Sequence, residues 1–333
     1  MLKFVFGRSG FGKTEYCFSQ IESLVKSGEE NILLITPEQY NFTAEKRLLR
    51  SLGEADINKV ENSSFSRLSN EAARLYGGNA LPVLSKGGKA VLMKKAIDSV
   101  KDQLTVFNNK TDSSSFIVSM VRIYDEMSSC DISSADMLAA SNTVEKEILS
   151  RKLFDMSLII GAYTELLNGN YYDSSDELSR LYDKLTGTDF FKGRSVFIDG
   201  FNGFVANEFK ILELIIRDAK CVTVTLATDS YSESDQFDLF AYVNKNAKKL
   251  QSIAEKYGVP VKTVDDLNKN HRTSDEALLF CEKNLYSRSA GEFEGVPESI
   301  SIYSAKSVSD ECDYIALQIK KSFARADVRG RSP

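Results

Sequence analysis

A glycine-rich segment near the amino terminus constrains the fold more than any other feature of the sequence. Residues 7–14 read GRSGFGKT, which fits the pattern G-x-x-x-x-G-K-[ST] of a phosphate loop. An apolar run at residues 2–6 precedes it, and apolar side chains recur with helical spacing in the residues that follow. A buried strand, a glycine-rich turn and a helix form the context that this motif requires. The sequence therefore predicts an α/β fold of the P-loop NTPase type.

The residue types in this motif match the chemistry of a nucleotide triphosphate and its metal ion. Glycines let backbone N–H groups close around the β-phosphate, and Lys13 is expected to reach the β- and γ-phosphates. The Thr14 hydroxyl is expected to ligate Mg²⁺, so ATP and Mg²⁺ are the predicted cofactors. The predicted nucleotide contacts are Gly7, Ser9, Gly10, Phe11, Gly12, Lys13, Thr14 and Gln39.

Composition places the 333-residue chain among ordinary globular proteins, with 42% hydrophobic and 27% charged residues. No apolar stretch has the length of a membrane span, and the short amino-terminal run does not resemble a signal peptide. The five cysteines lack C-x-x-C spacing, and the chain has a single histidine. These features predict a cytoplasmic protein with reduced thiols and without a zinc or iron–sulfur site in this chain.

The net charge of −5 argues against a protein that coats DNA through bulk positive charge. Two lysine-rich stretches are compatible with a local basic channel, although a solvated helix face is the more common role of such lysines. The first stretch contains Lys86, Lys89, Lys94, Lys95 and Lys101, and the second contains Lys245, Lys248, Lys249 and Lys256.

The pattern of apolar residues divides the chain into four regions. Residues 1–80 alternate predicted strands and helices, and residues 81–192 show helical periodicity with few β-branched runs. Residues 193–298 return to an α/β pattern, with predicted strands at 195–199, 222–227 and 259–264. Residues 299–303 are predicted to form another short strand, and 299–333 to begin a further domain or a tail. The sequence thus predicts an α/β domain interrupted by a helical insertion.

A second nucleotide-site motif follows the helical region. Residues 196–199 read VFID, a Walker B pattern that places a carboxylate at the end of a buried strand, where Asp199 is expected to hold Mg²⁺ through water. The next residue is Gly200, whereas P-loop ATPases that move along polymers normally carry Glu there as the general base. Loss of a general base lowers a rate by about 10²–10⁴. The sequence therefore predicts nucleotide binding with little or no hydrolysis.

Four segments together resemble the amino-terminal part of the AddB (RexB) family, a subunit of the AddAB (RexAB) ATP-dependent helicase–nuclease. They are GRSGFGKT at 7–14, ITPEQYNFTAEKRLL at 35–49, SFSRL at 64–68 and VFIDGFNGF at 196–204. The resemblance covers most of the chain. It implies a superfamily 1 helicase-like fold, in which a RecA-like domain carries a helical insertion and a second RecA-like domain follows.

The resemblance also implies a path for single-stranded DNA. Residues 35–49 and 63–68 fall where the helicase motifs Ia and Ib line that path. The DNA contacts implied in this way are Gln39, Tyr40, Phe42, Ser64, Phe65 and Arg67. For the three aromatic side chains, base stacking competes with packing in the core, and Arg67 has helix capping as its alternative.

Members of this family act with an AddA-type helicase–nuclease in a heterodimer that processes double-strand DNA breaks for recombination. They are longer than this chain, and add a second RecA-like domain, a nuclease domain and a four-cysteine iron–sulfur cluster. The resemblance therefore implies that unwinding and nuclease activity belong to the whole complex. The part of the protein that this sequence covers is expected to be inactive by itself.

Two other functions are compatible with the phosphate loop. A P-loop small-molecule kinase also carries an Asp without a following Glu, but such a kinase needs an arginine-rich lid, and the helical region of this chain contains no arginine pair. The third alternative is a structural scaffold with a vestigial loop. The intact Lys13-Thr14 pair argues against it.

Overall fold

The computed structural model describes residues 1–77, 81–173, 177–228, 239–264, 267–287 and 291–329, with side chains up to residue 324. The chain forms two compact units, Met1–Lys269 and Asn270–Pro333. The first contains the phosphate loop and all strands found in the described residues.

A parallel six-stranded sheet forms the centre of the first unit. The strands are β1 (Leu2–Phe6), β2 (Ile32–Ile35), β3 (Val60–Ser63), β4 (Ser195–Ile198), β5 (Cys221–Leu226) and β6 (Val261–Val264). Their order across the sheet is β3-β2-β4-β5-β1-β6, and every pair is parallel. Strands of a parallel sheet are covered on both faces, which is why β2 and β4 are continuously buried. All strands therefore end at the same edge of the sheet, its carboxyl edge.

Helices cover the two faces of the sheet. The helices α1 (Lys13–Lys26) and α2 (Glu38–Asp56) pack on one face, where Phe18, Ile21 and Leu48 meet Leu34 and Phe197. The other face is covered by α3 (Phe65–Tyr76), α8 (Glu177–Leu185), α9 (Ala206–Asp218) and α10 (Ala241–Lys256). Because side chains alternate along a strand, Leu33 and Ile35 face this second group while Ile32 and Leu34 face the first.

Four helices inserted between α3 and α8 form a separate core. They are α4 (Lys86–Val100), α5 (Ser114–Ser129), α6 (Ser134–Thr143) and α7 (Glu147–Leu167). Met93, Ile97, Ile159 and Tyr163 are among the side chains at its centre. The fully buried Asp155 accepts hydrogen bonds from the backbone N–H groups of residues 105–107 and thereby fixes the loop after α4. Of the helices that form between residues 86 and 185, α8 packs on the sheet, whereas α4–α7 form this core.

Two polar contacts join this helical region to α9. The Asn207 side chain donates to the carbonyl of Ser128 at 2.7 Å, and Lys210 pairs with Asp131 at 2.6 Å. Both contacts connect the carboxyl end of α5 to the amino-terminal turns of α9. The helical region is therefore anchored to the sheet through α9.

The second unit contains α11 (Glu276–Asn284) and α12 (Val308–Arg329). Tyr303 stacks on Tyr314 with ring centroids 3.8 Å apart. The predicted strand at 299–303 is wrong, since these residues form no strand. No neighbouring strand in the described residues supplies hydrogen bonds, and Ile302 is 96% exposed. Residues 330–333 of the predicted tail lie outside the described part of the chain.

The α/β class predicted from the sequence is confirmed by this sheet. The runs predicted as strands at 195–199, 222–227 and 259–264 contain β4, β5 and β6. The predicted helical segments between residues 90 and 185 correspond to α4–α8, with ends that differ by a few residues.

Candidate nucleotide and nucleic-acid site

The phosphate loop joins the carboxyl end of β1 to the amino terminus of α1. Gly10 and Gly12 have φ values of 90° and 87°, which only glycine adopts without strain. No side chain caps the first turn of α1. The first N–H groups of a helix have no intrahelical partner, and together with the helix dipole they attract an anion. The loop thus presents a backbone suited to a phosphate.

Lys13 folds back over the loop. Its ammonium group donates to the carbonyls of Gly7 at 2.6 Å and Arg8 at 2.9 Å. A methyl group on Gly7 would lie 3.2 Å from Cβ of Phe11, so the backbone passes close to that side chain. The positive charge is therefore held at the centre of the loop, beside the backbone that would surround a phosphate.

Neighbouring elements hold the two ends of the loop. Arg8 places its guanidinium carbon 5.4 Å from the ring centroid of Phe240, at the start of α10. Glu15, in the first turn of α1, pairs with Arg47 of α2, and the Arg47 guanidinium also lies 4.2 Å from the ring centroid of Phe18. Ser9 and Thr14 are exposed. The loop is thus held at its flanks while its hydroxyl groups remain accessible.

A row of three polar side chains crosses the carboxyl edge of the sheet. The register pairs Ile35 with Ile198, and Ile198 with Val224, so the next residues in line are Thr36, Asp199 and Thr225. All three are at least 95% buried. The Thr225 hydroxyl donates to Oδ1 of Asp199 at 2.5 Å. Because successive side chains of a strand point to opposite faces of the sheet, these three side chains face α1 and α2.

The geometry of this row fits a magnesium site completed by the phosphate loop. The strand β5 lies between β4 and β1, so Asp199 is two strand spacings, about 10 Å, to the side of β1. That distance suits a carboxylate that holds Mg²⁺ through water. The hydroxyl oxygen of Thr36 is buried and has no hydrogen-bond partner, which leaves a polar atom available to a metal-bound water beside Asp199.

The direction of the pKa shift of the Cys17 thiol indicates that Asp199 lies beside α1. Burial raises the pKa of Cys17 well above its ordinary value, and the negative charge of Asp199 raises it further, while Arg47 opposes the shift. An effect of this kind requires the carboxylate to lie near the first turns of α1. Asp199 and the phosphate loop therefore share one electrostatic environment.

Gly200, next to Asp199, adopts a backbone conformation that favours glycine. Its φ is +84°, and a Cβ at this position would lie 3.4 Å from Cδ of Pro37. A glutamate at this position would adopt a left-handed backbone and crowd the residue that precedes α2. The backbone of this turn is thus adapted to glycine.

The residues predicted to contact DNA divide into two groups. Gln39 is exposed, and Tyr40 and Phe42 are 53% and 73% exposed on the first turns of α2. Phe65 is buried and packs edge-on against Phe201, with ring centroids 5.6 Å apart. The buried side chain of Ser64 caps α3. Gln39, Tyr40 and Phe42 are therefore accessible to a ligand, whereas Ser64 and Phe65 have structural roles.

Arg67 shares features with both groups, since it is accessible and also makes structural contacts. It is half exposed, and its Nε is 3.9 Å from the carboxylate of Glu38, which also accepts a hydrogen bond from the Ser64 hydroxyl. The backbone N–H of Arg67 donates to Ser64 at 3.2 Å. These contacts hold an arginine at the carboxyl edge, next to the start of α2.

The first lysine-rich stretch is not a uniform basic surface. Lys89 is buried and pairs with Asp125 at 2.8 Å and with Asp173 at 2.5 Å. Lys94 pairs with Asp98 and Asp112. In the second stretch, Lys245 is exposed on α10, and Lys256 pairs with Glu213 at 2.7 Å. The described ranges contain no group of three or more His, Cys, Asp or Glu side chains placed to hold a metal ion, and no helix that could cross a membrane.

Sequence reasoning did not identify several side chains at the carboxyl edge. Thr36 and Thr225 were hidden within apolar strands, and only the register of the sheet aligns them with Asp199. Arg8 lies inside the predicted loop at a position that the motif leaves open. The contact of Tyr242 with residue 203 has no signal in the sequence, because it joins two segments that are distant along the chain.

Comparisons with known proteins give a consistent result. A family model described as "ADDB, N-terminal" matches residues 4–282. The B subunit of an ATP-dependent helicase/deoxyribonuclease from Clostridium novyi (strain NT) is 30% identical over 99% of this chain and 29% of its own length. The proteins of the same name from Caldanaerobacter subterraneus and Clostridium acetobutylicum are 31% and 30% identical, over 96% and 98% of this chain. The chain spans less than a third of the length of these relatives.

Proposed function

Because the chain belongs to the family of AddB amino-terminal domains, we propose that it is the nucleotide-binding, helicase-like part of the B subunit of a helicase–deoxyribonuclease. The observation that carries this proposal is the phosphate loop with Lys13 at its centre, between β1 and an uncapped helix. The relatives are much longer than this chain. Helicase and deoxyribonuclease activity are therefore proposed for the full-length protein.

ATP binds through the backbone of the loop. The N–H groups of residues 9–14 surround the β-phosphate, and Lys13 exchanges its carbonyl partners for the β- and γ-phosphates. Thr14 and Asp199 would hold Mg²⁺, and the buried hydroxyl of Thr36 would offer a polar atom to a metal-bound water. The ion neutralises phosphate charge when it is bound. Gln39, exposed at the start of α2, provides a further polar contact with the nucleotide.

Hydrolysis is slow or absent. Asp199 has Oδ1 occupied by Thr225, and the adjacent Gly200 has no side chain to deprotonate water. The domain thus uses nucleotide as a bound ligand. Purified protein that turns over ATP at typical enzyme rates, on the order of 1–10³ per second, would contradict this part of the proposal.

The domain has a RecA-like fold of the superfamily 1 helicase type. Two features support this assignment, namely the parallel sheet with both motifs at its carboxyl edge and the helical region inserted between α3 and α8. Single-stranded DNA follows this edge and contacts Gln39, Tyr40, Phe42 and Arg67. Exposed aromatic rings beside a cation are typical of single-strand binding.

The physiological partner is a second helicase–nuclease subunit of the AddA type. The word "subunit" in the names of the relatives supports such an assembly. The assembly processes DNA ends during repair of double-strand breaks by recombination. An iron–sulfur cluster belongs to the part of the full-length protein that lies beyond this sequence.

Nucleotide binding is tested by replacing Lys13. We expect Lys13→Ala to weaken binding of a fluorescent ATP analogue by at least about tenfold, since a charge-assisted hydrogen bond contributes roughly 1.5–3 kcal/mol. Lys26→Ala is the matched control, because Lys26 is exposed at the other end of the same helix. Equal affinity of wild type and Lys13→Ala would refute the assignment of the loop.

DNA binding is tested by its dependence on salt and on the exposed side chains. We expect affinity for a single-stranded oligonucleotide to fall steeply with salt, with a slope of about −0.7 per neutralised phosphate. The double variant Gln39→Ala/Arg67→Ala should bind more weakly and lower that slope. Arg50→Ala serves as control, since Arg50 is an exposed arginine near the other end of α2. Unchanged binding by the double variant would move the DNA path elsewhere.

A further inference from the structure

Tyr242, in the first turn of α10, lies directly on the backbone of Gly203. A Cβ atom on Gly203 would be 2.3 Å from Cε1 of the tyrosine ring, and 2.9 Å from its Cζ and hydroxyl oxygen. No side chain fits between the ring and the turn that follows β4. Glycine at position 203 therefore lets an aromatic ring rest against the main chain.

Two buried asparagines hold the backbone beneath this ring. Asn246 accepts a hydrogen bond from the backbone N–H of Phe204 at 3.0 Å and donates to the carbonyl of Tyr242 at 2.7 Å. Two residues earlier, Asn244 bonds to Thr228 beyond the end of β5, at 3.0 Å. Both asparagines are at least 96% buried. The backbone under Tyr242 is thus fixed to the carboxyl edge of the sheet.

The ring is nevertheless accessible from the solvent side. Tyr242 remains 60% exposed, although its inner side rests on Gly203. Lys245 is exposed about one helical turn further along α10, where residues three apart are neighbours. An exposed aromatic ring that rests on the main chain, with a cation one helical turn away, has the chemistry of a site that stacks a base and contacts the adjacent phosphate.

We propose that Tyr242 is a stacking platform for a base of single-stranded DNA, with Lys245 as the neighbouring phosphate contact. The proposal rests on the proposed DNA-binding function, and adds to the α2 and α3 contacts a site on α10. Stacking is tolerant of sequence, because every base has a π face. The site therefore contributes affinity without selecting a particular base.

The adenine of the bound nucleotide is a second source of the same chemistry. Phe240, two residues earlier, lies near Arg8 of the phosphate loop, so a base held there would come from ATP. Tyr242 instead rests over the turn after β4, which lies two strands from β1. This placement favours the DNA strand, and binding measurements with both ligands separate the two sources.

The experiment compares two oligonucleotides of equal length, oligothymidylate and an abasic analogue with the same phosphates. We expect Tyr242→Ala to weaken binding of oligothymidylate by about fivefold or more, as stacking of one base is worth roughly 1–3 kcal/mol. It should leave binding of the abasic strand and of the ATP analogue unaffected. Tyr242→Phe should bind like wild type, and Tyr286→Ala is the control for loss of an exposed tyrosine.

A fluorescent variant reports stacking directly. The chain contains no tryptophan, so Tyr242→Trp introduces a single indole whose emission we expect oligothymidylate to quench and the abasic strand to leave unchanged. Gly203→Ala, which displaces the ring, should reduce oligothymidylate affinity as Tyr242→Ala does. This variant tests the support of the ring without altering the ring itself.

The results of these binding measurements separate failure of the stacking platform from failure of the proposed DNA-binding function. If wild type binds oligothymidylate and Tyr242→Ala binds it equally well, the platform is refuted while the proposed function stands. If Tyr242→Ala weakens only ATP binding, the base is that of the nucleotide and the platform for DNA is likewise refuted. If wild type binds no single strand under low salt, both the platform and the DNA-binding function fail.

Discussion

The phosphate loop and the turn after β4 follow two strands of the same sheet, yet they differ in which residues of a nucleotide site they contain. The loop has its glycines, its lysine and an uncapped helix. The turn after β4 keeps the buried Asp199 but has Gly200 where a motor enzyme places its base. In the proposed function, nucleotide binding and hydrolysis therefore depend on separate groups at the carboxyl edge.

Positive φ values serve opposite purposes in these two segments. At Gly10 and Gly12 they shape a glycine-rich turn of the kind whose backbone N–H groups can surround an anion. At Gly200 the same conformation strains any residue other than glycine, and a Cβ there would contact Cδ of Pro37 at 3.4 Å. Substitutions at Gly200, Asp199 and Thr36 test this difference.

Gly200→Glu places the missing carboxylate next to Asp199. We expect it to destabilise the chain by about 2 kcal/mol, because a non-glycine residue in the left-handed region costs roughly 1–2 kcal/mol and the new Cβ meets Pro37. Urea unfolding measures the loss, and an ATPase assay should detect no motor-like turnover. A stable variant that hydrolyses ATP would show that the turn after β4 lacks only this carboxylate.

Asp199→Asn removes the negative charge and keeps an oxygen for the Thr225 hydroxyl. We expect the gain in ATP-analogue affinity produced by Mg²⁺ to shrink by about tenfold, equivalent to roughly 1.4 kcal/mol. Titrations with and without Mg²⁺ measure it, with Asp189→Asn as control, because Asp189 is exposed just before β4. An unchanged response to Mg²⁺ would place the ion away from Asp199.

Thr36→Val tests the buried hydroxyl without a partner. We expect the variant to be more stable by up to about 1 kcal/mol, since an unsatisfied buried group is removed, and to bind Mg²⁺–nucleotide a few times more weakly. Thr225→Val is the matched control on the other side of Asp199, and should lower stability because it leaves the carboxylate without its donor. Thermal unfolding separates the two variants. If Thr36→Val instead lowers stability, the hydroxyl has a partner in solution.

The sequence predicts the sheet and the loop well because their signals are local. Short apolar runs mark β2 and β4, alternating valine and threonine mark β5, and a contiguous motif marks the phosphate loop. Whether a side chain faces solvent is decided by packing between distant segments. Phe42 and Phe65 stand in equally suggestive motifs, yet Phe42 is 73% exposed while Phe65 packs against Phe201. Lys89 has the sequence context of a surface lysine and is buried between two aspartates.

The position of the helical region has a consequence for how the chain folds. The pairing of β2 with β4 brings residue 35 beside residue 198, and most of the intervening chain is this region. Closing a loop of that length costs entropy, and contacts between residues distant in sequence slow folding. The helices have their own core, so they form from local contacts and shorten the span to be closed. We therefore expect α4–α7 to gain structure before β4 enters the sheet, and Asp199 to reach the phosphate loop late in folding.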